Sequence, residues 1–297
     1  MWIVIVLIAI IIGLLALLLW LWLRMQAISR DYAILKGTTA AILTTNIEGQ
    51  DISNEPSVQI VGGSSSALVN TSYGRMVRQA VTPVDQDTCN ACWAIATCQS
   101  VSDRLHLKGE ILRDQLNYYA FHDIMISETP GMDGCSSGTY LDTGLDMFIS
   151  KGAPLMSKTR DRNFNDRYIA SDLSAKSYKV KRWRELTAKD GYGNIDMSRT
   201  ISNIKRELET KGSIVGVINL YDSFNYFEGT GVYRPDPSEI TDSDMAHMIS
   251  IVGYDDRDNT WIIRNSYGTS YGYKGYLKIP QGDKRICVEE YVYAPDV

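Results

Sequence analysis

Cys92 stands in Gln86-Asp-Thr-Cys89-Asn-Ala-Cys92-Trp93, where apolar residues begin to recur at helical steps. Ile95, Cys98, Val101 and Leu105 carry that period, so residues 92–107 read as a buried helix with Cys92 in its first turn. Backbone N–H groups there lack intrahelical acceptors, and the helix dipole is positive. A thiol so placed ionises readily, and a thiolate attacks carbonyl carbon far better than a thiol. Returning a proton to the leaving group needs a partner that titrates near neutrality, usually an imidazole. His106 falls further down the same helix and His122 follows a tyrosine-rich helical stretch; both read as structural side chains. His247 differs. It opens a strand-like run far along the chain, where a second lobe can present it across a cleft. Asn265 directly follows another such run, and an amide oxygen accepting the imidazole N–H fixes the ring without adding buried charge.

The elements that must hold these groups fall into two kinds. Residues 92–107, 111–121 and 140–150 have helical patterning, whereas 214–220, 248–252, 260–263 and 276–279 are short apolar or alternating runs broken by Gly, Asp and Asn. Helices first and strands later indicate an α+β protein with two lobes and a cleft between them.

Composition narrows the options. With 30 basic against 35 acidic side chains and a net charge of −5, the chain has no basic run, which excludes nucleic acid as its main partner. Five cysteines are too few for a disulfide-built scaffold, and an odd number leaves at least one thiol unpaired. Four zinc ligands need a second close Cys or His pair, which is missing, so neither a metal nor a cofactor is expected. Cys89-Asn-Ala-Cys92 also has the spacing of a dithiol redox centre, but the Thr82-Pro83 stretch before it is not the strand such a fold requires.

Residues 2–23 carry no charge, with Trp2, Trp20 and Trp22 at the ends and Arg24 closing the run. A helix of that length crosses a hydrocarbon core of roughly 30 Å, and the run is longer than a signal-peptide core of about 7–15 residues. Residues 1–24 are therefore expected to be an uncleaved single-pass anchor, and 25–70, polar and ending near a Gly/Ser stretch, a flexible linker or short pro-segment. Arg24 and Arg30 follow the span and no basic residue precedes it, a weak bias toward a cytoplasmic catalytic domain.

Three blocks in order resemble the papain family of cysteine proteases: Gln86, Cys89, Cys92 and Trp93; His247 ahead of Val252-Gly253-Tyr254; and Asn265-Ser266-Tyr267-Gly268, continuing into Gly272 and Gly275-Tyr276. The likeness runs from about residue 72 to the C-terminus, giving a domain of 71–297. It implies a helical lobe facing an antiparallel, barrel-like lobe, and a monomeric thiol endopeptidase acting on polypeptides. Cys92 would be the nucleophile, His247 the acid/base, Asn265 its orienter, and Gln86 a donor to the oxyanion. The likeness further implies a disulfide between Cys89 and Cys135 in an oxidising compartment. Substrate contacts would come from Trp93, Ser137, Gly138, Met248 and Tyr267, with Val292 at the floor of an apolar pocket. Cys287 has no evident partner, and Cys98 reads as a small core residue.

The departures are as informative. Tyr267 and Tyr271 stand where the family has tryptophan, Ser136 and Ser137 where it has Asn and Gly, and residues 25–70 lack the family's helical inhibitory pattern. With the anchor, this divergence resembles membrane-tethered cathepsin-like proteases of large DNA viruses. Two other readings stay open: a tethered binding module that kept the fold and weakened in activity, and a transglutaminase-like acyl transferase. The acidic stretch 228–244 reads as a solvated loop, with selection of basic substrates as the alternative.

Overall fold

In the computed structural model of the chain, the described residues are 66–78, 81–112, 114–128, 134–136, 138–158, 164, 175–239 and 246–297. The expected anchor, nearly all of the expected linker, Ser137 and part of the acidic stretch lie outside them. Among the described residues no helix is long and apolar enough to cross a membrane.

In chain order the elements are β1 (Leu68–Thr71), β2 (Gly74–Val77), α1 (Cys92–Leu107), α2 (Tyr118–Glu128), α3 (Leu141–Ser150), β3 (Ala153–Pro154), β4 (Ser177–Tyr178) and β5 (Arg182–Glu185). They continue with α4 (Met197–Lys211), β6 (Ile214–Asn219), α5 (Asp222–Asn225), β7 (Ala246–Asp255), β8 (Thr260–Arg264), β9 (Tyr276–Pro280) and β10 (Val292–Asp296). Helices α1–α3 close on one apolar core containing Trp93, Ile95, Phe121 and Phe148. A second core, with Ile204, Leu208, Ile251, Trp261 and Leu277, fills the sheet lobe.

That sheet is antiparallel, in the order β1-β2-β7-β6-β10-β5, with β8 added to β7 and β9 to β8. Strand β7 thus pairs with three others, and its register slips between Ile251 and Gly253. A bulge of this kind bends a strand and sharpens its twist. Gly253 is required there: a Cβ would lie 2.0 Å from the Arg75 carbonyl oxygen on β2.

Helix α1 is buried almost all round, from Trp93 to Leu105. It is the shared spine of the two lobes, not a surface helix with one apolar stripe. Its small residues let it lie directly on β7: Ser100 Oγ is 3.2 Å from Ser250 Oγ, which donates to the Ala96 carbonyl at 3.2 Å. At its far end Arg104 is buried with Glu207 (2.9 Å) and donates to the carbonyls of Ser213 and Pro295 at 2.7 and 2.8 Å. Arg184 reaches the same Glu207 oxygen at 2.6 Å.

The sequence places some elements differently. The helix expected at 111–121 is instead α2, because Asn117 Oδ1 accepts the Ala120 N–H at 3.0 Å and starts the helix there, while Leu116 bridges to Leu155. Helix α4 inside the strand-rich half is absent from the sequence reading. Its signals are Asp196, whose side chain accepts the Arg199 N–H, the recurrence of Ile201, Ile204 and Leu208, and Gly212 at φ 106°. Strand β1 starts at Leu68, inside the stretch expected to be linker.

Candidate active site

Cys92 is the first residue of α1, and the preceding Ala91 makes no side-chain cap, so the first-turn N–H groups stay available. His247 lies on β7 opposite Ile218, buried to 3% exposure. The two side chains act on one another electrostatically across the junction of the lobes, each shifting the other's pKa. Burial raises the Cys92 pKa, but the His247 charge and hydrogen bond, with the backbone N–H groups of Met248 and Trp93, outweigh it and hold the thiol below its ordinary range. Burial likewise disfavours a charged His247, and the Cys92 charge, its hydrogen bond and that of Asn265 together raise the imidazole. Opposite shifts on adjacent groups favour the thiolate–imidazolium form over the neutral one, and the pair titrates as a unit.

Asn265 follows β8 directly, and its Oδ1 is 2.7 Å from His247 Nε2, leaving the other ring nitrogen for the sulfur. Its backbone N–H donates to the Gly275 carbonyl at 3.0 Å. The Tyr267 ring covers the imidazole at 5.1 Å between centroids, with Phe224 at 5.7 Å. Tyr267 donates its hydroxyl to Asn225 Oδ1 (3.3 Å) and Tyr271 donates to the Phe224 carbonyl (2.6 Å), so both tyrosine hydroxyls find an acceptor.

Gln86 is held at three points. Its backbone N–H donates to the Ser266 carbonyl at 2.8 Å, its Nε2 donates to the Cys89 carbonyl at 2.9 Å, and its Oε1 accepts from Ser266 Oγ at 2.5 Å. Because Oε1 is fixed by a hydroxyl donor, the amide is orientated with nitrogen toward the Cys89–Cys92 turn. The segment carrying Asn265 therefore also sets Gln86, a coupling the sequence reading does not contain.

Cys89 is disulfide-bonded to Cys135. The bridge brings Ser136 and Gly138 to the segment that leads into Cys92: Asn90 N–H donates to the Cys135 carbonyl (2.8 Å) and Asn90 Nδ2 to the Ser136 carbonyl (2.9 Å). His122 Nε2 approaches Cys89 Sγ at 3.6 Å. A disulfide sulfur is not a nucleophile, however, and the free thiol beside an imidazole is that of Cys92. Cys98 is wholly buried, and burial lifts its pKa well above the ordinary thiol range.

Two expected substrate contacts are corrected. The Trp93 ring is packed into the helical core against Phe121 and His122, with 2% exposure, and is closed to substrate. Val292 is fully buried on β10 opposite Gly216, because the ungapped count from Cys287 ends in the middle of a paired strand. Met248 is buried in the core cluster against which Cys92 and Met248's half-buried cross-strand partner Val217 both pack. In the acidic stretch, Glu239 accepts from Ser223 N–H and Oγ and from Asp236 N–H at 2.6–2.9 Å, which makes it a brace for its own loop. Among the described residues, the one group of three side chains with metal-ligand spacing is Cys89, His122 and Cys135, whose two sulfurs are joined in the disulfide.

Residues 71–295 match the family described as Papain family cysteine protease. Similar proteins include a Cathepsin B-like CP1 of Giardia intestinalis (29% identity over 73% of this chain and 69% of that one) and a Cathepsin B-like cysteine proteinase 2 of Haemonchus contortus (25%, 69% and 65%). Cathepsin S of Mus musculus is 26% identical over 71% of this chain and 59% of its own length, so the chain spans about three fifths to two thirds of these relatives. Procathepsin L 3 from Tenebrio molitor larval midgut shares the fold at a TM-score of 0.56 and 21% identity, covering 73% of this chain and 67% of that one. A proCathepsin B of Trypanosoma congolense does so at 0.56 and 18%, covering 84% and 85%. The helical and sheet lobes meeting at Cys92 and His247 are thus a papain-like α+β fold, and the chain belongs to the papain family of cysteine proteases.

Proposed function

We propose that the chain is a thiol endopeptidase in which Cys92, His247, Asn265 and Gln86 carry out peptide-bond hydrolysis at a membrane. The Cys92 thiolate adds to the scissile carbonyl carbon, and the carbonyl electron pair moves onto oxygen. The Gln86 side-chain N–H and the Cys92 backbone N–H stabilise that oxyanion. His247, protonated while paired with the thiolate, gives its proton to the departing amine as the C–N bond breaks. It then takes a proton from water, whose oxygen displaces the sulfur and releases the acid. Asn265 keeps the ring aimed throughout, and Tyr267 shields that hydrogen bond from solvent. Gly138 and Met248 would flank the bound peptide, with Met248 and Val217 favouring an apolar side chain.

The single observation behind this reading is the convergence of the Cys92 thiol at the start of α1 with a His247 ring held by Asn265 at 2.7 Å, the thiol shifted down and the imidazole up by one another. A peptidyl epoxide probe tests it: a live centre is alkylated at Cys92 far faster than at Cys287, and His247→Ala abolishes the reaction. Equal labelling of both thiols would instead support a tethered binding module. Attachment to the membrane through residues 2–23 rests on their apolar length. Protease protection of sealed vesicles carrying the full chain reports both insertion and the side on which the domain lies.

A further inference from the structure

The Cys89–Cys135 bridge has an unusual neighbour. His122 on α2 is buried to 1% exposure between Trp93 and Phe164, with its Nε2 turned to the Cys89 sulfur. Its Nδ1 is also buried and has no hydrogen-bond partner among the described residues; the Asp123 carboxylate stands 3.8 Å from it. An unpaired imidazole nitrogen in an apolar wall is costly unless something uses it. The sulfurs of Cys89 and Cys135 and a ring nitrogen of His122 all lie within 4.8 Å of one another.

These are the donors of a soft tetrahedral metal site. With metal–sulfur and metal–nitrogen bonds of about 2.3 and 2.05 Å, a tetrahedral ion separates N and S ligands by about 3.6 Å. His122 Nε2 and Cys89 Sγ already have that spacing, at 3.6 Å. The two sulfurs, once unbonded, need to part to about 3.8 Å, and Cys135 is the partly exposed one that can move. Asp123 then stands where an outer carboxylate accepts the Nδ1–H of a metal-bound histidine and fixes its tautomer.

We propose that Cys89, Cys135 and His122 form a redox-gated site for a zinc-class divalent cation, which replaces the disulfide as the staple between the nucleophile's segment and the Cys135 loop. Two thiol molecules of the glutathione class supply two electrons and two protons: the S–S bond breaks, two cysteine thiols form, and the reductant leaves as its own disulfide. Each cysteine thiol releases its proton to solvent as it binds the cation, and water completes the coordination. The domain would then keep its groove-side loop docked in a reducing compartment as well as an oxidising one. The inference does not depend on peptidase activity.

The test uses the full chain carrying Cys92→Ala and Cys287→Ser, which removes the competing thiols near the surface. After anaerobic reduction with a phosphine, it is titrated with Co²⁺ and followed by the thiolate-to-cobalt absorption and the ligand-field bands of tetrahedral cobalt. One equivalent should bind in the reduced chain and none in the oxidised chain, and Zn²⁺ should displace it. Cys89→Ser should abolish the signal. His122→Phe, which keeps the ring packing, should weaken binding at least about tenfold, and Asp123→Asn, on the half-buried side of α2, should weaken it less. Circular dichroism checks that each variant is folded. Absence of tetrahedral bands in the folded, reduced chain would overturn the proposal, as would bands indifferent to Cys89→Ser or His122→Phe.

Discussion

Arg264 and Asp103 form a completely buried ion pair, with Nη2 3.0 Å from Oδ2. Arg264 immediately precedes Asn265, and Asp103 lies about three turns along α1 from Cys92. Arg264 Nη1 also donates to the Val81 carbonyl at 2.9 Å, and Asp103 accepts from the Val81 N–H at 2.9 Å and from Ser213 Oγ at 2.5 Å. The helix carrying the sulfur and the strand end carrying the amide are therefore fixed to one another by a buried charge pair.

Breaking that pair from one side leaves a charge buried without compensation. Asp103→Asn or Arg264→Met should each cost about 3–5 kcal/mol of stability, read as a lowered denaturant midpoint. An apolar replacement of both should cost less than either alone, since no buried charge remains. A double-mutant cycle in urea measures this directly.

The two thiols of α1, one half-buried and one wholly buried, have opposite prospects. Cys92→Ala should remove peptide cleavage altogether, whereas Cys98→Ala, at a buried site where the thiol is held protonated, should leave kcat/KM within about twofold while lowering stability by about 1 kcal/mol. Hydrolysis of a fluorogenic peptide beside thermal melts separates the two effects.

Activity should follow a bell-shaped pH profile belonging to the coupled pair. On the acid side the thiolate takes up a proton, at a pH below the ordinary thiol range because Cys92 is shifted down. On the alkaline side the imidazolium loses its proton, at a pH above the ordinary histidine range because His247 is shifted up. Asn265→Ala removes one of the groups that raises His247, so the alkaline limb should move to lower pH. His247→Ala should abolish turnover, which Asn265→Ala only reduces; profiles of kcat/KM check both.

Gln86→Ala should lower kcat/KM by roughly 10²–10³, the size expected for one oxyanion donor, with KM little changed. Ser266→Ala should reproduce a smaller part of that loss, about tenfold or less, because it frees Gln86 Oε1 without removing the amide. Equal losses in the two variants would show that amide orientation, not the donor itself, limits the rate.

The groups proposed to do chemistry are legible because each stands at a boundary that sequence marks well: Cys92 at a helix start, His247 and Asn265 at strand ends. The four strands read from alternation and punctuation reappear as β6–β9. What escaped was whatever depends on partners remote in sequence. Strands β2, β5 and β10 are short, and only pairing with β7, β6 or one another makes them strands. Helix α1 gave its length but not its role as interlobe spine, since a helix buried on all sides has little periodicity to read. Val292 and Trp93 failed as substrate contacts for the same reason: spacing specifies neighbours along the chain, and burial is decided by neighbours across it.

Gly253 carries a last consequence. Placed where the β2 carbonyl leaves no room for even a methyl group, it should prove as intolerant as His247 in any library scored only for turnover. Counting surviving protein alongside product would part them, since a damaged Gly253 depletes the molecule and a damaged His247 leaves it intact but idle.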